Sequence, residues 1–296
     1  MDIVCVSSEP CDLGESLYWD ARDRRLRWID AWKAKVHDFD PLTGDIRTVD
    51  YSSALGGRPI GSVVSHAGGG LMAGVRGGFW RLDPNQAGAT LVAAVEADRP
   101  EGNRLNDGKC DRAGRFWCAS VNTDHQSATG ALWCLEQGRA PVLAQDGLIV
   151  GNGIAWSPDD RAMYLADTMA GTVWRYEFDL ASGAIANRQI FISTEHIKGV
   201  VDGATVDSDG CYWAALFRGS AVAQFDPEGK LMRHVRLPVA NPTICGFGGA
   251  DLDVLYVASA SRFLDAERLK AQPLAGRVFA IHGLGCRGLP EPRFGT

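Results

Sequence analysis

Apolar residues along the chain come in short runs, each closed by Gly, Asp, Asn or Pro: "LRWIDA", "GLMAGV", "GGFWRLD", "RFWCASV", "AMYLADT", "GTVWRYEF", "CYWAALF", "AVAQFD", "VLYVASA" and "RVFAIHG". Their β-branched and aromatic content and their bounding turn residues predict strands. Long helical periodicity is absent. Residues 261–272, "SRFLDAERLKAQ", are the one notable exception and predict a turn or two of helix packed outside the sheets.

The runs repeat. Taking the centre of each turn-then-strand unit gives Trp28, Met72, Trp117, Tyr164, Trp213 and Tyr256, separated by 44, 45, 47, 49 and 43 residues. A recurring acidic turn closes the following strand, as in "VHDFDPLTG", "FWRLDP", "VWRYEFDLASG" and "VAQFDPEGK". A period in the forties with several short strands per unit is the signature of a propeller blade. The expected fold is all-β, a six-bladed β-propeller spanning residues 1–296 as one domain. A β-sandwich does not usually repeat one turn motif six times. The terminal "LPEPRFGT" is expected to fray.

In a propeller the innermost strands line a central channel, so a fixed offset within each repeat should mark one level of that channel. Eleven to thirteen residues before the centres lie Glu15, Gly61 and Ser62, Asn106, Asn152, Asp202, and Thr243 to Cys245. Four of the six blades thus offer a carboxylate or an amide, in the frames "LGES", "LNDG", "GNGI" and "VDGA". Taken singly, Asn or Asp beside Gly is ordinary turn chemistry. Jointly they converge on one axis, where crowded carboxylates repel unless a cation sits between them. Hard oxygen donors plus an amide suit one divalent ion: Ca, Mg, Mn, Zn or Fe(II).

Charge and composition narrow the partners. A net charge of −6 and a pI near 5.5, with no block of like charges, argue against nucleic acid. The N-terminus lacks the pattern of a secretion signal and no run is long enough to span a bilayer, so no membrane partner and a cytoplasmic location are expected. Eight scattered cysteines form no CxxC pair and are expected to be reduced thiols packed in strands. No GxSxG elbow is present, and neither "SHAGGGLMAG" nor "FGGADL" has the Lys-Ser/Thr of a phosphate loop.

Five stretches in order, "LGESLYWDARDRRLRWID", "NRLNDGKCDRAGRFW", "GNGIAWSPDDRAMYLADT", "VDGATVDSDGCYWAALFRG" and "NPTICGFGGADLDVLYVASA", cover nearly the whole chain. In them the sequence resembles the gluconolactonase, regucalcin (senescence marker protein) and luciferin-regenerating enzyme family of propellers. The resemblance implies that Glu15, Asn152 and Asp202 hold the metal, that Arg104 and Asn106 bind substrate, and that Asp124 assists, with Asn122 and His125 as neighbours able to take that role. It departs from the family at Leu17 and Val201, where proline is common, without losing a chemical group. The activity implied is hydrolysis of a sugar (aldono-) lactone to the aldonic acid, with Asp202 as general base. Two alternatives stand beside it: a metal-dependent esterase of the same fold acting on other esters, and a non-catalytic calcium-binding or protein-interaction propeller. Asp107 is expected to brace its turn. Substrate choice should lie in loops 52–62, 122–130 and 216–220.

Overall fold

A computed structural model describes all residues, Met1–Thr296. After the N-terminal strand β1 (Asp2–Cys5), blade 1 comprises β2 (Gly14–Asp20), β3 (Arg25–Asp30), β4 (Lys35–Phe39) and β5 (Ile46–Asp50). Blade 2 is β6 (Ile60–Ser65), β7 (Leu71–Val75), β8 (Gly78–Asp83) and β9 (Gly88–Ala94). Blade 3 is β10 (Asn103–Cys110), β11 (Phe116–Asn122), β12 (Gly130–Leu135) and β13 (Val142–Leu148). Blade 4 is β14 (Gly151–Trp156), β15 (Ala162–Asp167), β16 (Thr172–Asp179) and β17 (Ala184–Ser193). Blade 5 is β18 (Val200–Val206), β19 (Tyr212–Phe217), β20 (Ala221–Phe225) and β21 (Leu231–Arg236). Blade 6 is β22 (Pro242–Gly248), β23 (Val254–Ser259) and β24 (Phe279–His282), completed by β1.

The molecule is therefore the six-bladed β-propeller expected, each blade a four-stranded antiparallel sheet. All six repeat centres fall on the second strand of their blades. Two of them share a device that explains part of the period. Trp117 and Trp213 each donate their indole N–H to an aspartate six positions earlier, Asp111 and Asp207, at 2.8 Å. Those aspartates also accept from backbone N–H groups of the turn that follows, so each buried carboxylate is satisfied by its own hairpin.

Apolar side chains on facing sheets form six separate clusters, one at each junction between neighbouring blades. This is the packing reason for the repeat: a blade cannot bury both its faces alone. The inner strands β2, β6, β10, β14, β18 and β22 touch in sequence, and β22 returns to β2. Closure comes from the N-terminus, since β1 pairs with β24 from Asp2 opposite His282 to Cys5 opposite Phe279.

The turn or two of helix expected within 261–272 is α1 (Ala266–Ala271), N-capped by Asp265 and burying no residue. One expectation is revised. The C-terminal segment does not fray. Phe294 is 3% exposed and bridges to His66, Glu291 pairs with Lys109 at 3.0 Å, and Arg293 pairs with Asp20 and Asp23. Its prolines and charges read as a loose tail, yet the underside of the ring offers it an apolar seat and three partners. All eight cysteines are free thiols, six of them buried, as expected. No helix is long and apolar enough to cross a membrane.

Candidate metal and substrate site

Each inner strand breaks register with its neighbour. The interruption follows Glu15 in β2, Ile60 in β6, Leu105 in β10, Asn152 in β14, Val201 in β18 and Pro242 in β22. A bulge leaves residues unpaired and re-aims their side chains. Asn106, Asp107 and Asp202 lie inside these unpaired intervals, and Glu15 and Asn152 stand at their start. The offset seen in the sequence is thus a repeated bulge.

Two blades add no ligand. At Gly61 a Cβ would run into the carbonyls of Leu105 and Asn106, so blade 2 has no room for a side chain there. In blade 6, Thr243 is fully buried and donates its hydroxyl to Gly14 O, stitching the last blade to the first.

The polar side chains form one directed chain. Arg104 Nη1 donates to Asn106 Oδ1 at 2.8 Å, Asn106 Nδ2 donates to Asn152 Oδ1 at 2.8 Å, and Asn152 Nδ2 meets Thr168 Oγ1 at 2.8 Å. Thr168 Oγ1 in turn donates to Val201 O at 2.8 Å. A guanidinium can only donate and a carbonyl can only accept, so both ends fix the orientation of every amide between them. Asn152 therefore turns its oxygen, not its nitrogen, toward Asn106, and that oxygen keeps one lone pair free.

Three carboxylates gather behind this chain. Glu15 is pushed well above the usual carboxylate range by burial, then by the charges of Asp202 and Asp107. Burial and Asp107 do the same to Asp202, while Arg104 opposes both shifts. Burial also raises Asp107, against the Ile154 N–H that its Oδ2 accepts at 3.1 Å. Arg104 itself is lowered by burial, with Glu15 working against the shift. Lys109, near Asp107, is already matched by Glu291. Three carboxyls share the channel with one guanidinium, and the mutual repulsion that helps raise Glu15 and Asp202 is what a divalent cation would relieve. No trio drawn only from His, Cys, Asp and Glu forms a metal site anywhere in the chain. The channel set differs in including an amide oxygen, and its hard oxygen donors, orientation and crowded carboxyls all fit a divalent ion.

Comparison with known proteins shows the family and the fold. The model of the SMP-30/Gluconolactonase/LRE-like region matches residues 13–261. The chain belongs to this family. Regucalcin of Xenopus laevis is 33% identical to it over 99% of this chain and 98% of its own. Among solved structures, the calcium-binding protein regucalcin of Agrobacterium tumefaciens superposes with a TM-score of 0.91 at 24% identity, over 99% of this chain and 97% of its own. A gluconolactonase of Xanthomonas campestris does so with a TM-score of 0.75 at 20% identity, over 94% and 88%. At those identities the two structures establish the shared fold.

In this SMP-30/gluconolactonase-like propeller the candidate residues divide. Glu15, Arg104, Asn106, Asn152 and Asp202 come together. Asp124 stands apart: it is exposed, and its oxygens accept from Gln126 N, Ser127 N and Ser127 Oγ within its own turn. Asn122 is buried and bonded to Asn103. His125 is lowered by burial and next by the Arg104 charge, so of that loop it lies within electrostatic reach of the channel group. Asp107, expected to brace its own turn, instead accepts from Ile154 N of blade 4, and its charge also belongs to the cluster. Sequence reasoning misses Thr168 and Trp32, since Thr168 reaches Asn152 through the pairing of β14 with β15 and Trp32 meets Arg104 across blades. The Trp in the turn after "RWID" was the available signal for the second.

Proposed function

We propose that this protein hydrolyses the ester bond of a sugar lactone, using a divalent cation held by Glu15, Asn152 and Asp202. The observation that carries the reading is the cluster of buried carboxylates facing Arg104 across amides whose orientation is forced. Family membership and the gluconolactonase among the neighbours support it. The calcium-binding neighbour supports a hard cation such as calcium. A bound divalent cation supplies Lewis-acid polarisation of the lactone carbonyl.

The chain's own groups supply the rest. Arg104 retains a buried Nε–H with no protein partner, a donor left for substrate oxygen. Asp202, 8% exposed, takes a proton from the attacking water as its oxygen bonds to the carbonyl carbon. The bond between that carbon and the ring oxygen then breaks, and the ring oxygen takes a proton and leaves as a hydroxyl. The product is the open-chain acid. Substrate hydroxyls meet Asn106 and the remaining donors of Arg104, whose planar fork sets their angle.

The test is direct. After chelator treatment, single divalent ions are restored and acid release from pentono- and hexonolactones is followed in weak buffer. Rates well above the spontaneous one with at least one ion are expected, and Asp202→Asn should lower kcat by at least about 100-fold. Failure of every lactone with every ion defeats the reading, and undiminished turnover in Asp202→Asn removes that residue as base.

A further inference from the structure

Above Arg104 the rim of the channel holds groups that the reaction does not use. Trp32 lies in the turn between β3 and β4, and two guanidiniums sit over its ring. The Cζ of Arg104 is 5.4 Å from the ring centroid, and that of Arg262 is 4.8 Å. Both therefore face one indole. Neither enters an ion pair, whereas Asp20, Asp23 and Asp38 are all taken by other arginines. Arg104, 7% exposed, has an unpartnered Nε, and the indole N–H of Trp32 is buried and unpartnered too.

The backbone holds Arg262 there at a cost. Its N–H donates to Asp12 O at 2.9 Å, and its carbonyl accepts from Asn241 Nδ2 at 3.5 Å. The next residue, Phe263, has a φ of 72° while remaining 49% exposed, and its edge meets Phe217 at 5.9 Å. A bulky side chain at positive φ is strained and persists only where its surroundings over-determine it. Here the strained turn delivers Arg262 onto Trp32.

Arg104 is already faced by Glu15 and Asp202 of the channel floor, whereas Arg262 is exposed and has only the rings of Trp32 and Phe263 beside it. An anion reaching this rim pairs with Arg262, the guanidinium that no carboxylate matches. The floor of the channel is acidic, so an anion finds its partners only at this rim.

We propose that Arg262, seated over Trp32 beside Arg104, binds an anionic group at the end of the substrate remote from its ester, making Arg262 a specificity residue. Resting on the lactonase reading above, the substrate class becomes the lactone of an acid sugar, one that carries a second carboxylate or a phosphate.

Three six-carbon lactones of matched ring separate the cases: one uncharged, one with a terminal carboxylate, one with a terminal phosphate. The wild type should favour a charged lactone in kcat/KM by tenfold or more, and whichever charged lactone wins identifies the group. Arg262→Gln should reduce that preference at least tenfold, mainly through KM, and Arg262→Lys should keep part of it. Calorimetric binding of glucarate against gluconate gives a readout free of turnover, with the dicarboxylate tighter in the wild type and the difference lost in Arg262→Gln. Equal loss on charged and uncharged lactones, or equal affinity of the wild type for the two acids, overturns the proposal. Preference for glucarate without turnover of any lactone defeats the lactonase reading and upholds the anion site.

Discussion

Asn152 shows what a single residue contributes and what it borrows. Its position at the start of a bulge follows from the local "GNG" frame, but the direction of its amide is imposed by Thr168, sixteen residues further on. Thr168 is bound in place through its own N–H to Val150 O, a contact made by strand pairing. Nothing in the local sequence marks it. Asp124 is the converse case: its spacing suits a site residue, while its oxygens are consumed by the turn it initiates. Away from the channel, His37 stacks on Trp28 at 5.1 Å, and burial lowers its pKa from 6.5 to about 4, with Asp30 opposing and Lys35 and Lys33 assisting. The unfolded chain takes up this proton below pH 6.5 and the folded protein resists until about pH 4. Its stabilising contribution is full above pH 6.5 and lost as pH falls toward 4, to a total of about 3 kcal/mol. Urea unfolding across this window should show a steeper loss for the wild type than for His37→Asn. Parallel profiles would contradict it.

At the scale of the element, the bulge is the unit of function. Blades 1 and 4 solve the same backbone problem differently. After Glu15, Ser16 takes a φ of 50° and is held by bonds between its Oγ and Val63 N and O; after Asn152, Gly153 takes a φ of 59°. A Cβ on Gly153 would strike the Tyr212 hydroxyl, which donates to Gly153 O at 2.8 Å. Gly153→Ala should thus lose about 1–3 kcal/mol of stability and weaken divalent-cation binding roughly tenfold, read by denaturant melts and calorimetry. Unchanged values in both would remove the bulge from the site. The glycine beside Asn152 was legible as a backbone device. The collision partner was not, because Tyr212 arrives from the next blade.

At the scale of the whole molecule, the ring is held from both termini. Strand β1 completes blade 6, and the final residues lie across the underside, where Phe294 joins the core between blades 2 and 3. Removing residues 289–296 forfeits that burial and the Glu291 and Arg293 pairs, and should lower the melting temperature by roughly 5–10 °C. An unchanged melting curve would show the segment to be a passenger.

The sequence by itself determined the blade count, the strand positions and the level of the channel at which Glu15, Asn106, Asn152 and Asp202 stand. These follow from periodicity and turn chemistry, which are local and repeat once per blade. Only the tertiary structure decided which way Asn152 points, that Asp107 adds its charge to the cluster, that the C-terminal segment is seated, and that Arg262 meets Arg104 over Trp32. Each of these depends on groups from different blades, brought together by ring closure, and chain spacing carries no record of such contacts.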